Sequence, residues 1–143
     1  MLTVYSTTAL NAGLIPLLEE LIATVRQTLD ELNSWLGLVK LKLNEESIQT
    51  AVESCQRCLF RLASNIATTP DSEMRSRLHT LDQTDLDKLE RFEEELLSVV
   101  PMSETFIIPG MEERAAITDI ARTICRRGER RLVELLGEYP EID

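Results

Sequence analysis

Arginine is concentrated in one short segment of an otherwise acidic sequence. Five arginines lie in the stretch 122–131. With about 100° of rotation per residue, Arg122, Arg126 and Arg130 follow one side of a helix, and Glu129 lies beside them. Such a column of guanidinium groups can bind an oligophosphate through paired hydrogen bonds. A solvated helix face, or ion pairs with acidic neighbouring helices, explains the same spacing, so both interpretations stay open.

A second polar cluster occupies a segment that is helical by its apolar spacing. Asp30, Asn33, Ser34 and Gly37 fall on one narrow face of that helix. This face is too polar for a core and too small for an ordinary charged surface, so it favours the close approach of a ligand or another helix. An aspartate in this position could orient an arginine through a paired hydrogen bond. A seam between helices with a buried polar pair is the alternative.

An uncharged segment, Phe106–Gly110, precedes the arginine-rich helix. Loops held by rigid scaffolds often carry function, although an apolar loop can also simply pack against the core. The pair Cys55 and Cys58 forms one C-x-x-C inside a predicted helix, with only Cys125 and His79 elsewhere as further soft ligands. We therefore expect inert cysteines and no metal site, because a structural zinc needs a full ligand set.

Composition limits the classes of protein to consider. The 143 residues suit one domain, and 43% hydrophobic with 28% charged residues indicates a globular chain. The net charge of −10 argues against nucleic acid and against an anionic membrane surface. The sequence has no apolar run near the roughly 20 residues that span a bilayer. It also lacks a basic secretory leader, so we expect a cytoplasmic protein.

Apolar spacing predicts four helices joined by short connections. They span approximately residues 17–43, 45–67, 85–100 and 112–136. Residues 1–14 are predicted to form an irregular arm within a single domain over 1–143. The start positions follow from Pro16 in the first helical turn, Asn44 as a cap and a capping box at 84–87. The predicted fold is an all-α, antiparallel up-and-down bundle.

Together, the polar segments resemble the ATP:cob(I)alamin adenosyltransferases of the propanediol-utilisation type. That family carries D-E-L-N-S-aromatic-x-G on its first helix, an F-I-L-P-G-G loop, and A-R-T-x-x-R-R-x-E-R on its fourth helix. Here Asp30–Gly37 matches the first motif, and Ala121–Arg130 matches the third at every fixed position. Phe106–Gly110 matches the loop, with Met111 in place of the second glycine. The resemblance covers about residues 20–137.

The resemblance implies a fold, a reaction and a set of roles. The expected assembly is a homotrimer of ferritin-like bundles that holds ATP, with Mg²⁺, and a corrinoid at subunit interfaces. Co(I) of the corrinoid attacks C5′ of the ATP ribose and displaces tripolyphosphate. The implied roles are an intersubunit pair beside the corrinoid for Asp30 and Arg122, crowding of the lower cobalt face for Phe106, corrinoid-side support for Asn33 and Ser34, and nucleotide binding for Arg126, Glu129 and Arg130.

Three departures from the family pattern keep other functions open. The family's phosphate-wrapping loop, T-K-x-G-D-x-G-x-T, corresponds here to Tyr5–Gly13, which lacks the lysine, the aspartate and most of the glycines. Asp119 replaces a histidine, and the sequence ends at Asp143, before the family's fifth helix. We expect corrinoid adenosyl transfer. A non-catalytic relative that keeps the corrinoid side is the alternative, and a helical module whose arginines bind an acidic partner is a third possibility.

Overall fold

A computed structural model describes residues 9–69, 71–100 and 102–140, with side chains described from Pro16 onward. Within these ranges every regular element is helical, and no strand is present. The predicted all-α bundle is therefore confirmed. None of the helices in the described ranges is both long and apolar enough to cross a bilayer. The elements are α1 (Ala9–Lys42), α2 (Glu46–Ala67), a 3₁₀ turn (Glu73–Arg77), α3 (Gln83–Val99) and α4 (Glu113–Glu138).

The first helix begins earlier than its sequence pattern predicts. α1 starts at Ala9, so the irregular arm predicted over 1–14 is wrong for residues 9–14, while residues 1–8 lie outside the described part of the chain. Pro16 lies inside the helix and not in its first turn, where it removes one backbone hydrogen bond. Alanine and leucine in this stretch favour helix strongly enough to extend it past the proline.

Two helix starts are also displaced from their predicted positions. α2 has Glu45 as its N-cap, without a side-chain hydrogen bond, in place of the predicted Asn44. α3 has a capping box, but Asp82 and Asp85 form it, two residues before the predicted segment 84–87. The Asp82 carboxylate accepts from the Asp85 backbone N–H at 3.2 Å, and the Asp85 carboxylate accepts from the Asp82 N–H at 3.1 Å.

α1 is the central helix and runs antiparallel to both of its main neighbours. α4 packs along it from Glu113, which pairs with Lys42 at 2.8 Å, to Leu135, which shares a core cluster with Leu18. α2 packs on another side of α1. The buried apolar core lies between these three helices and consists of Leu18, Val25, Leu29, Leu32, Val39, Ile66, Ala121, Ile124, Leu135 and Tyr139.

α3 packs much more loosely and contacts mainly α2. Its N-terminal Asp85 pairs with Arg61 of α2. Leu86 and Leu89 on α3 remain 47% and 49% exposed. An open cavity of about 690 Å³ separates α3 from the other three helices, and we call it the α3 cavity. The single domain over residues 1–143 stays a prediction.

Candidate functional site

The five arginines of residues 122–131 divide into an exposed set and a packed set, as their helical spacing predicts. Arg122, Arg126 and Arg130 all lie on exposed positions, and Glu129 is exposed beside them. Within the described part of the chain, Arg126, Glu129 and Arg130 form no ion pair. We call Arg122, Arg126 and Arg130 the arginine column. Because Arg126 and Arg130 have no carboxylate partner there, their guanidinium groups keep hydrogen-bond donors available for an anion.

The other two arginines of the 122–131 stretch attach α4 to α1. Arg127 pairs with Glu31, and Arg131 donates hydrogen bonds to the Thr28 hydroxyl and, at 3.3 Å, to the Thr24 carbonyl. These contacts orient the helix so that the arginine column faces away from the core. The sequence reasoning did not identify them. The sequence signal for them was Glu31, an acidic residue next to Asp30 in the first motif that could pair with an arginine of α4.

Arg122 has an ion-pair partner in its own chain. Its Nε donates a hydrogen bond to Oδ1 of Asp119, one turn earlier, at 2.8 Å. The Arg122 side chain is nevertheless 59% exposed. The terminal nitrogens of Arg122 make no hydrogen bond within the described residues, so the guanidinium keeps donors for a second acceptor.

The polar residues of α1 divide between solvent and the interface with α2. Asp30 and Ser34 are exposed, and the Ser34 hydroxyl donates to the Asp30 backbone carbonyl at 3.0 Å. Asn33 is buried against α2, where its backbone carbonyl accepts from the Gln56 amide at 3.0 Å. The Asn33 Oδ1 atom is buried and unpaired among the described groups. Asn33 therefore supports the packing of α1 on α2, while Asp30 is available to another molecule.

Asp30 and Arg122 do not meet within one chain. Asp30 borders a groove of about 630 Å³ between α1 and α2, together with Arg26, Phe60 and Thr68. Arg122 borders the α3 cavity instead. The sequence reasoning gave no role to Arg26 or Phe60. Phe60 is 63% exposed in this groove, and that exposure depends on the packing of the helices and cannot be read from the sequence.

The apolar loop extends into solvent and does not pack against its own core. Phe106 is fully exposed, and Ile107, Ile108 and Met111 are 70%, 78% and 88% exposed. Gly110 has a φ of +105°, which favours glycine because a side chain there is strained. The interpretation of this loop as part of the core is therefore wrong, and its apolar side chains remain available for contact.

Cys55, Cys58 and Cys125 all line the α3 cavity. Burial raises the pKa of the Cys55 and Cys125 thiols, so both stay protonated and weakly nucleophilic at neutral pH. The described residues include no group of three or more His, Cys, Asp or Glu side chains placed to hold a metal ion.

Comparison with known proteins agrees with this arrangement of motifs. The model of the cobalamin adenosyltransferase family matches residues 7–142. The corrinoid adenosyltransferase PduO of Salmonella typhimurium is 37% identical over 112 residues, which cover 78% of this chain and 33% of that protein. The PduO protein of Citrobacter freundii is 32% identical over 111 residues, with the same two coverages. The corrinoid adenosyltransferase of Bacillus subtilis is 31% identical over 113 residues, 76% of this chain and 56% of the relative.

This chain thus spans about a third of the length of the two PduO proteins and about half that of the Bacillus protein. The match to the family, in contrast, covers nearly all of the present sequence, from residue 7 to residue 142. It includes the arginine column, the polar face of α1 and the exposed apolar loop. The chain belongs to the cobalamin adenosyltransferase family.

Proposed function

We propose that this protein transfers the 5′-deoxyadenosyl group of ATP to Co(I) of a corrinoid, as a homotrimer with sites at its subunit boundaries. The observation that carries the proposal is the exposed face of α4. Arg126, Glu129 and Arg130 occupy fixed positions of the family motif and have no ion-pair partner among the described residues. In a chain of net charge −10, unpaired arginines on one helix face are suited to an oligophosphate.

The proposed chemistry needs little from the protein beyond positioning and charge. The Co(I) lone pair attacks C5′ of the ribose, the Co–C5′ bond forms, and the C5′–O bond breaks. Tripolyphosphate leaves with the bonding electron pair, and cobalt becomes Co(III). Arg126 and Arg130 stabilise the negative charge of the leaving group, and Glu129 orients the nucleotide. The exposed Phe106 ring is available to cover one cobalt face and displace an axial ligand.

Asp30 and Arg122 are proposed to pair across a subunit boundary. Within one chain they border different cavities, and both are exposed. Arg122 uses only its Nε for Asp119, so its terminal nitrogens can form a paired hydrogen bond with a carboxylate of a second copy. Such a pair gains most where assembly excludes water, and loss of one partner leaves the other desolvated.

The direct test is an anaerobic assay with chemically reduced cobalamin and ATP, in which adenosylcobalamin is followed by its absorbance. We expect turnover by the native protein. Arg126→Ala should raise the KM for ATP by about tenfold or more, because it removes a charged contact to phosphate. The matched control is Arg57→Ala, an exposed arginine on α2 that should leave the kinetics unchanged. Absence of turnover in the native protein would refute the catalytic proposal.

A second candidate function is corrinoid binding without catalysis. The specific observation in its favour is that Ala9–Gly13 forms the first turns of α1, where the family has a phosphate-wrapping loop. A helix in this place cannot wrap its backbone N–H groups around phosphates as a glycine-rich loop does. Calorimetry distinguishes the candidates, because ATP binding supports the enzyme and corrinoid binding without ATP supports the relative. Binding of neither ligand supports a helical interaction module.

The intersubunit pair has its own test. Arg122→Ala should weaken both trimer assembly and corrinoid affinity. Asp30→Asn combined with Arg122→Gln should recover part of the assembly but none of the chemistry. A double-mutant cycle on trimer dissociation, measured by sedimentation, reports the coupling between the two positions. Additive effects with intact trimers in both single variants would exclude the pair.

A further inference from the structure

The α3 cavity is an apolar surface that the described part of the chain leaves uncovered. All four helices contribute to its walls, which include Leu36, Leu59, Leu89 and Phe92. Its volume of about 690 Å³ lies in the range that proteins use to enclose a ligand or an anchoring segment. A contiguous apolar surface of this kind on a soluble protein usually marks an interaction site.

The 106–111 loop is a second uncovered apolar surface, and it projects outward, whereas the α3 cavity is concave. It extends from the end of the bundle between α3 and α4 and contains no charged residue. Ile107, Ile108 and Met111 are 70–88% exposed, so each would lose most of its accessible area to a partner. Burying three such side chains would remove a substantial apolar area from water, which favours association.

Charges around the two surfaces are complementary. Lys88 and Arg91 border the α3 cavity and have no ion-pair partner within the described residues, while Asp85 at the same border is already paired with Arg61. Glu95, the other acid at the border, lies one helical turn after Arg91 and forms no ion pair within the described residues. Lys88 and Arg91 therefore outnumber the one unpaired acid among the described residues that line the cavity. Glu104, just before the loop, has no ion pair in the described part of the chain either.

We propose that residues 107–111 of the 106–111 loop of one copy dock into the α3 cavity of a second copy. Ile107, Ile108 and Met111 are the apolar anchors, and Glu104 approaches Lys88 and Arg91 at the border. Because two different surfaces meet, the contact is head-to-tail and can close into a ring. The inference rests on the self-association in the proposed function and does not depend on adenosyl transfer. Phe106 precedes the anchors and has no place in the cavity under this proposal.

Native thiols make the contact testable by cross-linking. Cys55, Cys58 and Cys125 line the cavity, so Ile108→Cys places a thiol on the proposed anchor. Diamide takes two electrons and two protons from a pair of thiols, which leaves a disulfide and the reduced hydrazine. We expect disulfide-linked dimers and larger species from I108C, with the bond mapped to a cavity cysteine. Glu134→Cys, an exposed control on α4 outside the cavity lining, should not form these bonds.

A second pair of variants measures the strength of the contact. Ile107→Asp with Ile108→Asp should raise the dissociation constant for self-association at least about tenfold, since charges would enter an apolar cavity. The loop side chains are exposed in the isolated chain, so the circular dichroism of this variant should match the native protein. Unchanged association would overturn the inference, as would disulfides that form only within one chain.

Charge reversal tests the border. Glu104→Lys should weaken association several-fold, Lys88→Glu should do the same, and the two together should restore most of the affinity. Failure of the double variant to recover would overturn the assigned orientation. A protein that associates through this contact but produces no adenosylcobalamin would refute only the proposed catalysis, so the two failures are distinguishable.

Discussion

Two amphipathic helices, α4 and α3, pack against the rest of the bundle with very different tightness. On the α4 side, Val25 and Leu135 are fully buried, and Leu29 is 4% exposed. On α3, which contacts mainly α2, Leu86 and Leu89 remain nearly half exposed, although this helix has the same kind of apolar spacing. The α1–α4 interface therefore supplies much of the stability, while the α3 side keeps apolar surface available for binding.

A glycine explains part of this contrast. Gly128 of α4 is buried against α1, and a Cβ built there would lie 3.5 Å from Thr28 Cγ2 and 3.9 Å from Leu29 Cδ2. The small residue lets the two helices approach closely. α3 contacts mainly α2, where Asp85 pairs with Arg61, and its apolar face stays apart from the core.

The largest expected effect is on the free energy of unfolding, when one leucine is truncated in the α1–α4 core and another on α3. Leu135→Ala should lower the free energy of unfolding by about 2–5 kcal/mol, because it leaves a cavity in a fully buried cluster. Leu89→Ala, the matched change on α3, should cost less than about 1 kcal/mol, because half of that side chain already contacts water. Urea denaturation measures both, and equal losses would show that α3 belongs to the main core.

A smaller effect is expected at Gly128. Gly128→Leu should destabilise the protein by about 1–3 kcal/mol, since atoms beyond Cβ would force α4 away from Thr28. Gly128→Ala places its methyl group at ordinary contact distance and should gain up to about 1 kcal/mol of helix propensity. Thermal unfolding of the two variants checks the sign, and destabilisation by alanine would mean that the helices are closer than described.

Acid should release α3 before it affects the α1–α4 interface. Hydrogen bonds from the Thr84 hydroxyl and backbone amides lower the pKa of Asp82, and the Asp82 amide and Arg61 lower that of Asp85. A carboxyl group whose pKa is lowered in the folded state stabilises that state at pH values above the group's ordinary pKa. That stabilisation is lost as pH falls through the folded-state pKa.

Amide exchange by NMR at several pH values down to about 3 should therefore show lower protection factors in α3, relative to the intrinsic exchange rate at each pH, below the ordinary aspartate range near 4. Amides in the α1–α4 core should stay protected over the same pH values. Simultaneous loss of protection in all helices would contradict the separation of the two regions.

The smallest expected effect is local to the start of α3. Asp82→Ala removes the side-chain acceptor for the Asp85 amide, so the first turn of α3 should exchange several-fold faster at neutral pH. Glu90→Ala, an exposed change in the middle of α3, is the control and should leave this turn unchanged. An unchanged first turn in the Asp82 variant would show that the ion pair with Arg61 alone holds the helix.

Much of the fold, and the exposure of the arginine column, followed from sequence pattern. The apolar spacing predicted four helices, and helical geometry separated the arginine column from Arg127 and Arg131 because residues four apart share a face. Helix starts were less predictable. Residues 82–85 and 84–87 both carry residues suitable for capping, and only the folded backbone selects between them.

The sequence by itself determined the helical class, the family motifs and the residues that we propose for phosphate and corrinoid, since these depend on local spacing and chemistry. Only the tertiary structure decided that Asp30 and Arg122 border different cavities, that Asn33 packs against α2, and that the 106–111 loop stays in solvent. The physical reason is that local pattern specifies which face of a helix is apolar. It does not specify how closely another helix approaches that face, which depends on close packing between residues distant in sequence.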